Sequence, residues 1–157
     1  MEGMVAYYNL LEMEMYPFLD TLEAQGYGLI CIRPFLEGML TDARIAPAKT
    51  PEGDRARDPG WAPRYALLDK VRAVLGEEPP SWTDFALHFC LADPRVTSLV
   101  VGLNTEAQVD SVCDAVENIP FGPEVPRRVY EALKAEGVSA RVVSMPSWEL
   151  FEMQDQV

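Results

Sequence analysis

The chain has few of the residues that build disulfide frameworks and zinc sites. Its cysteines are Cys31, Cys90 and Cys113, an odd number without Cys-x-x-Cys spacing, and His88 is its one histidine. Disulfide frameworks need paired cysteines, and structural zinc sites need clustered cysteine and histidine ligands. The sequence therefore predicts neither kind of site. We expect three free thiols, buried in strand and helix faces, in a protein from a reducing compartment.

Basic residues are also scarce. The chain has 13 lysines and arginines against 25 aspartates and glutamates, which gives a formal net charge of -12. Nucleic acids and anionic membrane surfaces attract basic proteins, so neither is expected as a partner. One bound phosphate stays compatible with this charge, because loop amides and helix N-termini hold phosphate locally.

Long apolar runs are absent too. None approaches the roughly 20 residues that a membrane-spanning helix needs. Residues 1–15, MEGMVAYYNLLEMEM, lack a basic region and carry acids among the apolar positions, unlike a secretion signal. With 48% hydrophobic residues over 157 positions, the composition is that of a globular domain, and we predict a cytoplasmic protein.

Short apolar runs alternate with amphipathic stretches along the chain. Strands are predicted over 4–11, 27–33 and 97–101, and helices over 16–25, 65–75, 81–93, 105–116 and 124–136. Two capping pairs, Ser81 with Asp84 and Thr105 with Gln108, predict helix starts, and Gly26 and Gly76 predict helix ends. Residues 43–63, rich in proline, glycine and charge, predict a long surface loop. Strands that alternate with helices pair in parallel, so the predicted fold class is α/β.

Two patterns predict how the helices are oriented. A series of acids early in the chain predicts a solvated helix face: Glu12, Glu14, Asp20 and Glu23. Four apolar residues at i, i+3, i+4 and i+7 predict one helical stripe: Val109, Val112, Cys113 and Val116.

Four motifs in order carry a family resemblance. They are Tyr8-Asn9-Leu10-Leu11, RPFLEGMLT at 33–41, Phe85-Ala86-Leu87, and VVGLNTEAQV at 100–109. Together they resemble the C-terminal part of an aldo-keto reductase over about residues 4–133. That family has a (β/α)8 barrel and reduces carbonyls with NADPH. The resemblance implies a partial (β/α)8 TIM-type barrel whose strands correspond to the sixth, seventh and eighth.

The resemblance also implies a rim that binds NADP(H). The turn after Arg33 would lay backbone amides along the pyrophosphate, with Gly38 allowing close approach. The turn from Gly102 would place the 2′-phosphate at a helix N-terminus. The implied cofactor-binding residues are Arg33, Pro34, Phe35, Leu36, Gly38, Gly102, Asn104, Thr105, Gln108 and Asp110. The residues alone fit a purely structural turn equally well, with Arg33 capping the rim of the sheet instead of contacting phosphate.

The sequence departs from the family at several cofactor positions. Ile32 replaces the aromatic residue that stacks on the nicotinamide, and Val5 replaces a glutamine. The pair 110–111 replaces the Glu-Asn pair that grips the adenine, and positions 103–104 carry no basic side chain. The implied NADP(H) binding is therefore weak or vestigial.

The family's catalytic aspartate, tyrosine, lysine and histidine lie on the second to fourth strands of the barrel. Nothing in this chain aligns with any of the four. The sequence therefore assigns no catalytic residue and no metal ligand.

The tail carries a second resemblance. Residues 136–154, EGVSARVVSMPSWELFEMQ, resemble the C-terminal domain of transketolase. Residues 140–145 predict a strand, and Ser147 predicts a helix N-cap, which together make a small β-α appendage. The predicted domains are thus 1–133, a partial barrel, and 134–157, a transketolase-like tail. Transketolase binds thiamine diphosphate in other domains, so no cofactor is implied here.

Three functions stay open at this point. The first is an aldo-keto-reductase fragment that retains part of an NADP(H)-phosphate rim and is not catalytically competent alone. The second is a non-catalytic binding or scaffold module that pairs with itself or with a missing N-terminal half, because open strand edges invite pairing. The third, a transketolase-related module, depends on the tail alone.

Overall fold

A parallel sheet of three strands organises the structure. The computed structural model describes residues 2–45 and 62–135. Within these ranges β1 (Glu2–Tyr7), β2 (Tyr27–Ile32) and β3 (Val96–Val100) lie side by side in that order.

The register confirms that the predicted strands are neighbours in one sheet. Val5 of β1 pairs with Ile30 of β2, and Cys31 of β2 pairs with Leu99 of β3, both in parallel. The predicted α/β fold, with parallel strands like those of a partial TIM-type barrel, is confirmed.

Helices follow each of the three strands. A 3-10 turn at Tyr16–Phe18 leads into the first helix. The helices are α1 (Leu19–Ala24), α2 (Asp42–Ile45), α3 (Ala62–Leu75), α4 (Trp82–Leu91), α5 (Glu106–Val116) and α6 (Glu124–Ala135). Among them α4 contacts β3 and α5, and α3 contacts α6.

Local capping explains where several helices begin and end. Ser81 caps α4 by accepting a hydrogen bond from the Asp84 amide at 3.1 Å, as predicted. Gly26 and Gly76 follow α1 and α3 with φ of 77° and 83°. This left-handed conformation ends a helix and strongly favours glycine.

The core lies between the sheet and the helices. Leu29 and Cys31 of the middle strand are fully buried there, as are Tyr8 and Phe89, whose rings stack 6.2 Å apart. The Cys90 thiol donates to the Tyr8 carbonyl at 3.3 Å, and burial raises the pKa of this thiol.

The opposite face of the sheet carries exposed apolar side chains. Val5 is 58% exposed, Val100 54% and Tyr7 38%, while Ile30 and Ile32 between them are half-buried. Successive side chains of a strand point to opposite faces of the sheet, and these residues occupy the positions that face away from the core. The middle strand is therefore fully covered on one side only.

Two boundary predictions are corrected. β1 ends at Tyr7 instead of Leu11, because Asn9 and Glu12 pair with each other through backbone hydrogen bonds of 3.0 and 3.2 Å. The prediction of a loop over 43–63 is wrong at both ends, because its first residues belong to α2 and its last residues to α3.

The predicted burial of the Cys113 thiol, on α5, is also wrong. None of the residues of α5 is buried, Val109 is 45% exposed, and Cys113 is exposed, so only two of the three thiols are buried. The reason is that α5 packs mainly against one other element, α4, which leaves its apolar stripe largely uncovered.

Two sequence predictions fall mainly outside the described residues. They are the β-α appendage at 134–157 and the central part of the 43–63 loop. The division into domains 1–133 and 134–157 stays a prediction.

Over residues 2–45 and 62–135, every helix is too short or too polar to cross a bilayer. Within the same ranges, histidine, cysteine and carboxylate side chains form no cluster of three or more that could hold a metal ion.

Candidate functional site

A groove of about 1010 Å³ opens at the carboxyl ends of β2 and β3. One wall is the turn after β2, residues 33–41, which we call the first rim turn. The facing wall includes the turn after β3, residues 101–105, which we call the second rim turn. Ligands of parallel α/β proteins bind at this end of the strands.

The first rim turn has an unusual backbone. Four of its residues have positive φ: Arg33 at 62°, Leu36 at 46°, Glu37 at 57° and Gly38 at 85°. A non-glycine residue in this region costs about 1–3 kcal/mol and persists where the surroundings fix it. Such residues cluster at ligand sites, so the turn deserves a functional explanation.

Asn9 holds the start of this turn. Its amide nitrogen donates to the Arg33 carbonyl at 2.9 Å and to Glu12 Oε2 at 2.8 Å. Its amide oxygen accepts from the backbone N–H groups of Leu11 and Glu12 at 3.0 and 2.9 Å. The sequence motif contained Asn9, but sequence reasoning gave it no role at the site.

Glu12 is the charged centre behind the turn. It is fully buried, and its Oε1 lies 3.5 Å from Arg33 Nη1 and 3.9 Å from Arg64 Nη2. Burial raises the pKa of Glu12, although Arg33, Asn9 and Arg64 oppose this, and burial lowers the pKa of Arg64. The prediction of Glu12 on a solvated helix face is wrong, because Asn9 and the two arginines enclose it.

The Arg33 side chain is occupied by protein groups. In addition to Glu12, its guanidinium donates to Glu37 Oε1 at 3.0 Å and lies 4.6 Å from the centre of the Tyr7 ring. Of the two roles that the sequence left open, this geometry favours a rim cap for the Arg33 side chain. Its backbone still begins the turn that faces the groove.

Asp42 fixes the next part of the groove wall. Its carboxylate accepts hydrogen bonds from the Trp82 amide at 2.7 Å, the Thr83 hydroxyl at 2.8 Å and the Ser81 hydroxyl at 2.9 Å. Partial burial raises the pKa of Asp42, but these hydrogen bonds outweigh it, so the pKa lies below its ordinary value. α2 is thereby tied to the start of α4.

The second rim turn is held by local capping. Thr105 Oγ1 accepts from the Gln108 amide at 3.2 Å, and Gln108 Oε1 accepts from the Asn104 amide at 2.8 Å. Thr105 and Gln108 are the predicted capping pair, but the Gln108 side chain accepts from the amide of Asn104 instead of the amide of Thr105. It presents Gly102, Asn104 and Gln108 to the groove.

The structure brings most, but not all, of the predicted cofactor residues together. Those that line the groove are Arg33, Pro34, Phe35, Gly38, Gly102, Asn104 and Gln108. Leu36 is fully buried beneath the first rim turn. Thr105 and Asp110 are exposed on α5 or its cap but do not line the groove.

The titratable side chains of the groove are two arginines and three carboxylates. Among the described lining residues they are Arg33, Arg44, Glu37, Asp42 and Asp84. In this part of the chain no tyrosine, lysine or histidine lines the groove.

A smaller cavity of about 400 Å³ lies outside the rim, beside α4 and the connection from α5 to α6. Phe85, Phe121 and His88 line it, and His88 Nε2 is hydrogen-bonded to the Ala115 carbonyl at 2.7 Å. Its walls are mostly apolar and it touches no strand end. The polar groove at the strand ends is therefore the better candidate site.

Comparison with known sequences agrees with these features. The profile of the aldo/keto reductase family matches residues 4–134, and that of the transketolase-like TK C-terminal domain matches residues 122–157. The L-glyceraldehyde 3-phosphate reductases of Escherichia coli O157:H7 and strain K12 are 31% and 30% identical over 74% and 73% of this chain. These alignments cover 37% and 36% of the two relatives.

Solved structures of the same fold are similar over most of the chain. Aldo-keto reductase AKR11C1 from Bacillus halodurans superposes with a TM-score of 0.64 for its holo form and 0.59 for its apo form. Identity is 22% and 19%, over 84% and 83% of this chain and 42% of the other. The present chain thus spans about two fifths of the proteins it matches. Both resemblances seen in the sequence are confirmed, in the same order.

Proposed function

Because the chain belongs to the aldo/keto reductase family, we propose that its groove binds the diphosphate part of NADP(H) or NAD(H). The family consists of oxidoreductases that generally use these cofactors. The chain by itself is proposed to bind the nucleotide weakly and not to complete carbonyl reduction.

The backbone of the first rim turn carries this proposal. Left-handed residues at 33 and 36–38 curve the chain at the end of the middle strand. Successive amides in such a curve form a concave donor surface for anions. The amides of Phe35 and Gly38 donate to no other described residue, whereas those of Leu36 and Met39 close hydrogen bonds inside the turn.

The second rim turn supports binding without strong preference for the 2′-phosphate. Leu103 and Asn104 carry no charge, and the Asn104 amide is already bonded to Gln108. A phosphate there would meet the start of α5 without an adjacent cation. We therefore expect NADPH and NADH to bind with similar affinity.

The proposed lack of turnover follows from the groove's side chains. Hydride transfer to a carbonyl needs a positioned proton donor whose pKa suits the working pH. The described groove offers two arginines and three carboxylates instead. Addition of an aldehyde and NADPH to the isolated chain should therefore give no oxidation of NADPH above the background rate.

Fluorescence titration with NADPH tests binding, and two glycine variants locate it. Gly38→Ala places a Cβ in a left-handed turn, with Arg44 Nε 3.5 Å away. At about 1–2 kcal/mol of strain, the variant should bind several-fold more weakly. Gly76→Ala is the matched control, since Gly76 has φ of 83° and nothing within 4 Å of an added Cβ.

Gly76→Ala should bind NADPH like the unaltered chain, because Gly76 follows α3 and does not line the groove. Absence of any saturable signal at millimolar NADPH would remove the proposal. Equal weakening by the two glycine variants would show that binding depends on general stability and not on the first rim turn.

The open face of the sheet favours a second candidate function, a scaffold that pairs with itself or with further barrel units. Val5 and Val100 are more than half exposed there, and β1 and β3 each pair with β2 alone among the described strands. Size-exclusion chromatography with light scattering tests this. Val5→Lys should shift a dimer to monomer and Glu23→Lys on α1 should not. A monomeric unaltered chain would contradict pairing of the chain with itself.

The cytoplasmic location stays a prediction.

A further inference from the structure

Two arginines line the groove, and their surroundings differ. Arg33 is held by Glu12 at 3.5 Å and Glu37 at 3.0 Å. Its charge is therefore largely compensated within the protein. Arg44, on α2, forms no ion pair with any described residue.

Arg44 lies directly against the first rim turn. Its Nε is 3.5 Å, and its Cδ 3.9 Å, from the position that a Cβ on Gly38 would occupy. The side chain is half-buried and lines the groove. Arg44 and Gly38 thus border the groove side by side.

The backbone that carries Arg44 is fixed on both sides. Thr41 Oγ1 donates to the Gly38 carbonyl at 2.7 Å, and the Arg44 amide donates to the Thr41 carbonyl at 2.9 Å. Asp42 then binds the start of α4 through the Trp82 amide at 2.7 Å. Asp42 and Glu37 thus have partners of their own, and Asp84 is the third carboxylate that lines the groove.

We propose that Arg44 is the residue that pairs with the diphosphate of the bound dinucleotide, an assignment that rests on the proposed function. A guanidinium binds two oxygens of a phosphate at once, which adds geometry as well as charge. The position beside Gly38 places this charge at the diphosphate and away from the second rim turn. Arg44 therefore strengthens NADPH and NADH binding equally and does not select between them.

Calorimetric titration of the full chain with inorganic pyrophosphate, ADP-ribose, NADH and NADPH tests the assignment. Arg44→Met removes the charge and keeps most of the side-chain length. It should weaken all four ligands by a similar factor of about tenfold or more, the usual size for a hydrogen bond to a charged group. Arg128→Met is the matched control, because Arg128 is exposed on α6 and does not line the groove. Arg44→Lys, which keeps the charge but loses the two-point contact, should fall between the unaltered chain and Arg44→Met.

The outcomes distinguish failure of the Arg44 assignment from failure of the proposed nucleotide binding. Unchanged binding by Arg44→Met overturns the assignment, while saturable NADPH binding keeps the proposed function. Loss of NADPH affinity alone also overturns it, because the charge would then serve the 2′-phosphate. Pyrophosphate and ADP-ribose binding that depends on Arg44, without NADH or NADPH binding, removes the proposed function and overturns the assignment with it, because Arg44 would then hold a diphosphate but no dinucleotide. If none of the four ligands binds, both fall.

Discussion

The two turns that face each other across the groove follow neighbouring strands of one sheet, yet different contacts hold them. In the first rim turn Pro34, Leu36, Met39 and Leu40 are buried. In the second, Gly102, Asn104 and Thr105 are exposed. The first continues into the core, whereas the second leads into a helix without a buried residue.

This difference indicates how the two turns would meet a ligand. The first is fixed by side chains that come from outside it, chiefly Asn9 and Glu12, so its shape exists before binding. Binding to a preformed surface avoids the cost of ordering the chain. The second depends on its own cap and can adjust. We expect affinity to arise mainly at the first turn, and the following predictions test the contrast.

Glu12→Ala should have the largest effect. The substitution leaves Arg33 and Arg64 without their buried carboxylate, which lies 3.5 and 3.9 Å from them. Removing one partner of a buried ionic group costs about 3–5 kcal/mol of unfolding free energy. Urea denaturation followed by circular dichroism measures this loss.

Glu14→Ala is the control for Glu12→Ala. Glu14 is exposed two residues away, and its removal should change the unfolding free energy by less than about 0.5 kcal/mol. If the two variants lose similar stability, the first rim turn does not depend on a buried charge.

Asp42→Ala should have an intermediate effect. Asp42 caps α4 although it lies 40 positions before Trp82, whose amide it binds. Loss of a helix cap costs about 1–2 kcal/mol of unfolding free energy. The pKa of Asp42 is lowered in the folded state. Its stabilisation is therefore complete above the unfolded pKa of about 3.9 and is lost as the pH falls through the folded pKa.

Urea denaturation at several pH values tests this prediction. The difference between Asp42→Ala and the unaltered chain should be constant near neutral pH and shrink below about pH 4. Asp69→Ala serves as the control, since Asp69 is 71% exposed and, among the described residues, its ion pair is with Arg72 at the surface of α3. A pH-independent difference for Asp42→Ala would mean that its carboxylate does not stabilise the fold by its charge.

Local signals in the sequence predicted much of the fold. Glycines at positions 26 and 76, and caps at Ser81 and Thr105, each act within a few residues of the helix end they define. Runs of apolar residues likewise predicted the middle strand. These features need no knowledge of the rest of the chain, which is why one sequence suffices to find them.

The contacts that build the site were not predictable in this way. Asn9 reaches the Arg33 carbonyl across 24 positions, and Asp42 reaches the Trp82 amide across 40. Neither separation leaves a periodic pattern. Acidic residues are usually exposed, which predicts a solvated Glu12, whereas its burial depends on arginines brought in by the fold. The residues after the middle strand, from Pro34 to Gly38, predict a turn that handles a ligand, and the family resemblance implies the cofactor roles of that turn.

Thr105→Ala should have the smallest effect. It removes the hydroxyl that accepts from the Gln108 amide at 3.2 Å, a loss of about 1 kcal/mol at most in an exposed cap. Because α5 has no buried residue, we expect the change to stay local. Hydrogen exchange should show faster exchange of the first amides of α5 and unchanged exchange in α4. Ser81→Ala, the same kind of cap on the buried helix α4, should lower global stability more. If Thr105→Ala also speeds exchange in α4, the second rim turn is coupled to the core as tightly as the first, and the contrast between the two turns is wrong.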